Sequence, residues 1–228
     1  MSEWWTYSLS SFLLFSPRTY YRLFELYNAA VWPAHIVAIG AGLAIVVLVY
    51  GGRGGAARAA AMLLAACWVW VGWAFLLQRY DTINWAARYF AAGFAIEALL
   101  LVWAALGHGR LAFRSRDAVA RVGLGMLLFA LFVQPLIAPL TGRSWAQVEI
   151  FGLVPDPTVV ATLGFLLALE RVHWELSIVP LAWCAISGAT LWAMESPEAP
   201  MLPAIALLWL VLAGWKTFRQ PPVHASQS

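Results

Sequence analysis

Long, nearly uncharged apolar runs separated by short polar breaks organise this chain. Residues 33–49, 59–77, 89–106, 118–133, 176–194 and 201–215 each carry at most one charged side chain. At 1.5 Å of rise per residue, roughly 20 such residues cross a hydrocarbon core about 30 Å thick. The pattern therefore predicts an all-α membrane protein, a bundle of about seven transmembrane helices preceded by an amphipathic interfacial helix. Three segments follow: 1–30 amphipathic and interfacial, 31–219 a single transmembrane helical domain, and 220–228 a flexible cytoplasmic tail.

The polar breaks set the boundaries. Residues 4–15 begin with Trp4, Trp5 and Tyr7 and read as a headgroup-level segment rather than a cleavable signal, which would need a basic start and a small-residue cleavage site. Ser16-Pro17 then starts a helix, serine as cap and proline in the first turn, with Tyr20, Phe24 and Tyr27 on one face and Arg18, Arg22 and Glu25 on the other. The first span begins at Trp32-Pro33 and stops in the glycines of 51–55. The second runs from Arg58 to Gln78 and turns at Arg79-Tyr80-Asp81, and the third from Asn84 to Leu106. The fourth runs from Asp117 to Leu140, with Pro135 and Pro139 loosening its end. The sixth starts near Trp174 and the seventh after Ser196-Pro197.

The fifth span is the anomaly. Thr158 to Val172 is short for a bilayer, and residues 142–156 before it are too apolar for a solvated loop and too broken by glycine and proline for a helix. Non-helical backbone at membrane depth persists only when buried in protein or lining a wet cavity, and short Pro-interrupted segments mark transporter binding sites. Asp156 is expected to cap this helix, with Pro157 as its first residue.

Composition changes the picture little: 63% hydrophobic and 11% charged residues fit a membrane domain, whereas soluble domains carry about a quarter charged residues. The net charge of +3 is scattered between apolar runs, so no nucleic-acid partner is expected. Orientation follows from the basic residues. Arg53, Arg58, Arg110, Arg114, Arg116, Arg121, Arg171, Lys216 and Arg219 fall on one side, and Arg18, Arg22, Arg79, Arg88 and Arg143 on the other. The bias puts the N-terminus in the periplasm and the C-terminus in the cytoplasm of a bacterial inner membrane.

Candidate chemistry centres on intramembrane polar residues. Glu97 is the one carboxylate near the middle of a span, and such an acid is either glue donating a hydrogen bond between helices or a proton or ligand site. Arg88 aligns with Asp81 and Asn84 as a polar stripe at the end of the same helix, where an ion pair would hold the turn. His35, Gln134 and Asp156 fall on this outer side too, with Asn28, Gln78, Glu149, Glu195 and Glu198, and together they could ring an outward-facing vestibule. The candidate cavity, proton or ligand site is thus Glu97, Asp156, Arg88, Asp81, Asn84, His35 and Gln134.

Other chemistries find little footing, and no cofactor or metal is expected. The glycines at 51–55 lack the Lys-Ser/Thr ending of a phosphate loop, no two histidines have metal spacing on one helix, and Cys67 and Cys184 fall in separate spans. Lys216, the sole lysine, belongs at the cytoplasmic end of the last helix, where it is expected to snorkel toward water rather than carry a mid-membrane Schiff base.

The chain resembles an uncharacterised family of bacterial multi-span integral membrane proteins, a domain of unknown function. The resemblance rests on Tyr27-Asn28 with Trp32-Pro33, Trp70-Val71-Gly72, Ile83-Asn84, Pro155-Asp156-Pro157-Thr158 and Pro180-Leu181-Ala182-Trp183, and spans residues 20 to 215 or so. A cysteine is common in that family where Asp156 stands here, a departure that counts against a thiol or metal role at this spot. The resemblance implies a bacterial multi-span protein and supplies no activity. Function then points first to a small transporter or permease-like protein with an outward-facing polar cavity bounded by 142–157 and Glu97. The alternative is a non-catalytic membrane subunit or assembly factor of a larger complex. An enzyme is the weaker reading because no nucleophile–base constellation is visible. The expected partners are the lipid bilayer and a membrane-protein partner or a second copy.

Overall fold

The computed structural model describes residues 15–52, 54–107, 111–113 and 117–219, so the headgroup-level segment expected before residue 15 and the tail from 220 lie outside the described residues, Phe15 apart. Among the described residues the chain is helical: α1 (Pro17–Ala30), α2 (Ala34–Gly51), α3 (Ala56–Trp70), α4 (Ala87–Leu106), α5 (Ala118–Leu128), α6 (Gln134–Leu140), α7 (Pro155–Ala168), α8 (Ile178–Ala193) and α9 (Met201–Arg219). Six continuous helical stretches are long and apolar enough to cross a membrane, judged by length and composition: Ala34–Gly51, Ala56–Thr82, Ala87–Leu106, Ala118–Leu140, Trp174–Ala193 and Met201–Arg219. α7 is apolar but shorter.

Local chemistry explains the boundaries. Ser16 caps α1, its Oγ accepting the Thr19 N–H at 3.2 Å with Pro17 in the first turn, and the helix buries Tyr20, Leu23, Phe24 and Tyr27. α2 stops where Gly52 enters the left-handed region at φ 59°, a conformation that costs glycine little. α3 widens into a π-helical stretch, Val71–Leu77, and a second such stretch, Phe129–Val133, joins α5 to α6 directly before Gln134-Pro135. Proline has no N–H to return to the preceding turn and its ring clashes there, so a widened turn immediately before Pro135 relieves the conflict.

α7 is the axis of the molecule. All fourteen of its residues are buried. α5 crosses it at Gly123 and Gly164 so closely that a Cβ on Gly123 would lie 2.5 Å from the Gly164 carbonyl oxygen, and one on Gly164 would lie 2.6 Å from that of Gly123. Small residues let helix backbones approach this closely. From other neighbours, Trp68 of α3 donates its indole N–H to Thr162 Oγ1 at 2.8 Å, and Trp209 of α9 donates to the Leu163 carbonyl at 3.0 Å. The buried apolar side chains form one cluster reaching from Tyr20 to Ala213.

The helix differs from the expected one at both ends. It begins at Pro155 rather than Thr158, Val154 is its N-cap, and Asp156 lies inside the first turn with its carboxylate turned toward α8. Pro155 and Pro157 remove two of the N–H groups a cap would satisfy, which frees Asp156 for another task. At the other end the helix stops at Ala168, and Leu169 pairs in an isolated antiparallel bridge with Phe113. Lys216 does not snorkel outward. It is buried, and its ammonium donates to the carbonyls of Leu167, at 2.9 Å, and Leu169. A cation among the last carbonyls of a helix satisfies acceptors and opposes the dipole, which outweighs the pull of water on this side chain.

Candidate functional site

The N-terminal end of α7 sits under a folded-back strap, residues 142–154, which α1 holds down. Tyr27 donates its hydroxyl to the Leu153 carbonyl at 3.0 Å and accepts the Trp70 indole N–H at 3.1 Å. Asn28 spreads its amide N–H groups over the carbonyls of Ala146 and Val148, both at 2.9 Å. Gly152, at φ 76°, makes the turn that brings the strap onto the helix, and its N–H donates to Thr158 Oγ1 at 2.9 Å. Thr158 in turn donates to the Val154 carbonyl at 2.8 Å. Several of the strap's backbone groups thus find partners inside the protein, as an apolar, glycine- and proline-interrupted segment away from water requires.

Beneath the strap, Asp156 accepts the Trp183 indole N–H at 2.7 Å on one oxygen and the Ser187 hydroxyl at 2.9 Å on the other. Tyr20 and Phe24 of α1, Phe75 of the first π-helical stretch, Tyr80, Glu149 and Trp183 close a pocket around it. The pocket holds about 10 Å³, room for about one water. The rings interlock: Phe24 and Phe75 stand 5.2 Å apart and Tyr20 and Tyr80 6.1 Å apart, centroid to centroid. Burial lifts the Tyr20 phenol well above its ordinary range, so it faces the pocket as a neutral hydroxyl.

A charged cluster adjoins the pocket. The Arg143 guanidinium bonds both carboxylate oxygens of Glu198 at 2.7 and 2.8 Å, reaches Glu149 at 3.5 Å, and lies 4.4 Å over the Tyr21 ring. Thr141 adds its hydroxyl to Glu198 at 3.0 Å, and Tyr21 pairs with Ser196 at 3.1 Å. The cluster thereby ties α1, the strap and the α8–α9 connection together. All three charged side chains are about nine-tenths buried. Glu149 and Glu198 share this one guanidinium, with Asp156 close by, and the imbalance shows in Glu149: burial, with the nearby Asp156 adding to it, pushes its carboxyl up to about 8 despite Arg143.

The residues singled out from sequence separate in space. Asp156 lines the pocket, and Asn84 stands behind it, donating to the Tyr80 hydroxyl at 3.1 Å. Arg88 and Asp81 form a two-pronged ion pair at 2.9 and 3.0 Å, but Arg88 is 74% exposed and the pair braces the turn outside the pocket. His35 approaches Asn28 Oδ1 at 3.4 Å. Gln134 and Glu97 are buried, and neither lines the pocket. Among the described residues neither Glu97 oxygen has a hydrogen-bond partner, so the interhelical bond expected of it as glue is not made. Arg143, Trp183 and Ser187 were missed as site residues. Trp183 was visible only as one more aromatic in an apolar helix, and nothing local marks Arg143 as facing inward.

Among the described residues no three His, Cys, Asp or Glu side chains are grouped to hold a metal ion. Most of the pieces on which the family resemblance rests converge here: Tyr27-Asn28 grip the strap, Trp70 holds the Tyr27 hydroxyl, Asn84 positions Tyr80, and Trp183 holds Asp156. The chain belongs to the DUF6064 family, a family of unknown function, which it matches over residues 18–223. No curated protein and no solved structure matches it.

Proposed function

We propose that this DUF6064 member is a multi-pass protein of a bacterial cytoplasmic membrane, acting as a small transporter or permease whose polar site lies at the outer end of α7. In this reading the six long helices and α7 make seven spans, with the N-terminus periplasmic and the C-terminus cytoplasmic. Two groups of inter-element contacts support an odd count. Tyr21–Ser196, Tyr27–Leu153 and Arg143–Glu198 join segments at one end of the bundle, while Phe113–Leu169 and Lys216–Leu167 join segments at the other. α7 must run between those ends for both groups to form.

The observation that carries the transport reading is the buried carboxylate pocket at the start of a short, wholly buried helix. Purely structural contacts do not call for a third buried carboxyl, Asp156, beside two that already share one guanidinium, because each uncompensated buried charge is costly. A half-length helix aimed at a polar site is also how transporters present binding groups. The small volume corresponds to a closed state, with α1 and the strap as the parts that would open.

The test is thiol access at Thr190 on the pocket wall. Thr190→Cys is introduced with Cys67 and Cys184 both changed to Ser and the protein placed in oriented vesicles. A membrane-impermeant maleimide added outside should label it, at a rate that changes between pH 5 and 9. Absence of labelling from outside at every pH removes the reading. The subunit alternative draws on α2, which buries only Ala38, Gly42 and Ile45 and leaves Ile36, Val37 and Val47 exposed to lipid, a partner or a second copy. Stoichiometric co-purification of another membrane protein after mild detergent extraction would favour it.

A further inference from the structure

We infer that the cleft between α1 and the α3–α4 turn is a binding site for a phosphate-bearing anion, with an anionic lipid headgroup as the ligand it suits best. The cleft holds about 790 Å³, within the size range of small-molecule sites and far larger than the pocket beside Asp156. Arg18 and Arg22 enter from α1, one helical turn apart on the same face, and Arg79 enters from the turn opposite.

The charge in the cleft is one-sided. Its one carboxylate, Glu25, is taken by Arg22 at 2.5 Å. Among the described residues no carboxylate comes within 4 Å of Arg18 or Arg79, so two guanidiniums face the same space without an acidic partner. A guanidinium presents paired N–H donors in a plane that matches phosphate oxygens, which makes arginine the apt residue for this ligand. Thr19, Gln78 and Gln147 add neutral hydrogen-bonding groups to the wall.

The same cleft has an apolar side. Leu23, Leu26 and Ile83 line it beside the arginines, and Leu26 is 52% exposed. An inorganic anion would leave that side idle, whereas a phospholipid places its phosphate against the arginines and the start of its chains against the leucines. Trp85 next to the turn and Trp145 on the strap are also exposed, at 65% and 66%, as expected where helices meet headgroups. The lipid form of the inference rests on the proposed multi-pass membrane reading, with α1 as the interfacial helix expected from its sequence, and the phosphate form does not.

The experiment compares the full-length chain with the double variant Arg18→Gln/Arg79→Gln, which leaves the Arg22–Glu25 pair in place. Detergent-purified protein is titrated with phosphatidylglycerol or phosphatidylcholine and the bound lipid is read by native mass spectrometry. Inorganic phosphate alone is titrated in parallel by thermal shift. The expected result is selective retention of phosphatidylglycerol that weakens by about tenfold or more in the double variant, since each basic residue near an anionic surface contributes appreciably. Arg121→Gln/Arg171→Gln, at the opposite end, should retain phosphatidylglycerol as wild type does. Stabilisation by inorganic phosphate that the double variant loses, without phosphatidylglycerol selectivity, assigns the cleft to a free anion. Equal binding of both probes by wild type and double variant overturns the inference, and wild-type melting of the unliganded double variant shows that its fold is not the cause of any loss.

Discussion

The two ends of α7 meet the same problem with opposite chemistry. Both are buried, and both need partners for backbone or side-chain polar groups in a place that water does not reach. At the C-terminal end one cation, Lys216, donates to two terminal carbonyls. At the N-terminal end Asp156 is satisfied by Trp183 and Ser187, but Glu149 and Glu198 crowd the same region and share Arg143. One end is built as a cap. The other gathers three carboxyl groups near one guanidinium, and the proposed transport reading gives that imbalance a use for a proton, a cation or a moving element.

The largest expected effect separates hydrogen bonding from charge at the N-terminal end. Asp156→Ala leaves the Trp183 N–H and the Ser187 hydroxyl buried without partners and should lower stability by about 2–4 kcal/mol. Asp156→Asn keeps an oxygen for Trp183 and lets the Ser187 hydroxyl turn to accept, while removing a charge from a crowded site. It should melt close to wild type in detergent, and a loss as large as that of alanine would mean that the charge itself holds the end together.

Lys216→Met comes next. It keeps the apolar stem and uncaps two carbonyls, for an expected loss of about 1–3 kcal/mol. A melting curve that drops by this amount at neutral pH would show that the ammonium is what closes this end of the helix. A wild-type melting temperature would show that backbone groups there find other partners.

The sharpest comparison concerns Glu149, and it is read in the slope of stability against pH rather than in a single melting temperature. Its carboxyl is raised from 4.5 to about 8 in the folded protein, so the folded state keeps a proton that the unfolded chain releases. This part of the stability is fully present below about pH 4.5 and is lost as pH rises toward 8. Melting temperatures measured from pH 5 to 9 should therefore fall with rising pH in wild type and fall less in Glu149→Gln. Parallel curves would mean that Arg143 neutralises Glu149 fully and that the two ends of α7 are more alike than the geometry implies.

How much of this was legible beforehand depends on whether the signal is local. The Ser16 cap, the amphipathic face of Tyr20, Phe24 and Tyr27, the break after Gly51 and the Asp81–Arg88 pair all follow from neighbours a few residues apart, and all are found. The unusual character of residues 142–157 was also readable, from apolar residues interrupted by glycine and proline. The start of α7 was misplaced because Asp156 has the chemistry of a cap, and two prolines made a cap unnecessary.

The sequence alone determined that the chain is a set of long apolar helices with one broken segment, because hydrophobicity and helix-ending residues act within a turn or two. Only the tertiary structure decided which helix became the axis, that Lys216 turns inward, and that Arg143 reaches Glu198 across 55 positions of sequence. A helix that is apolar on every face carries no periodic mark of which side will be buried. That choice was left to the close crossing at Gly123 and Gly164 and to the few polar groups that had to find partners inside.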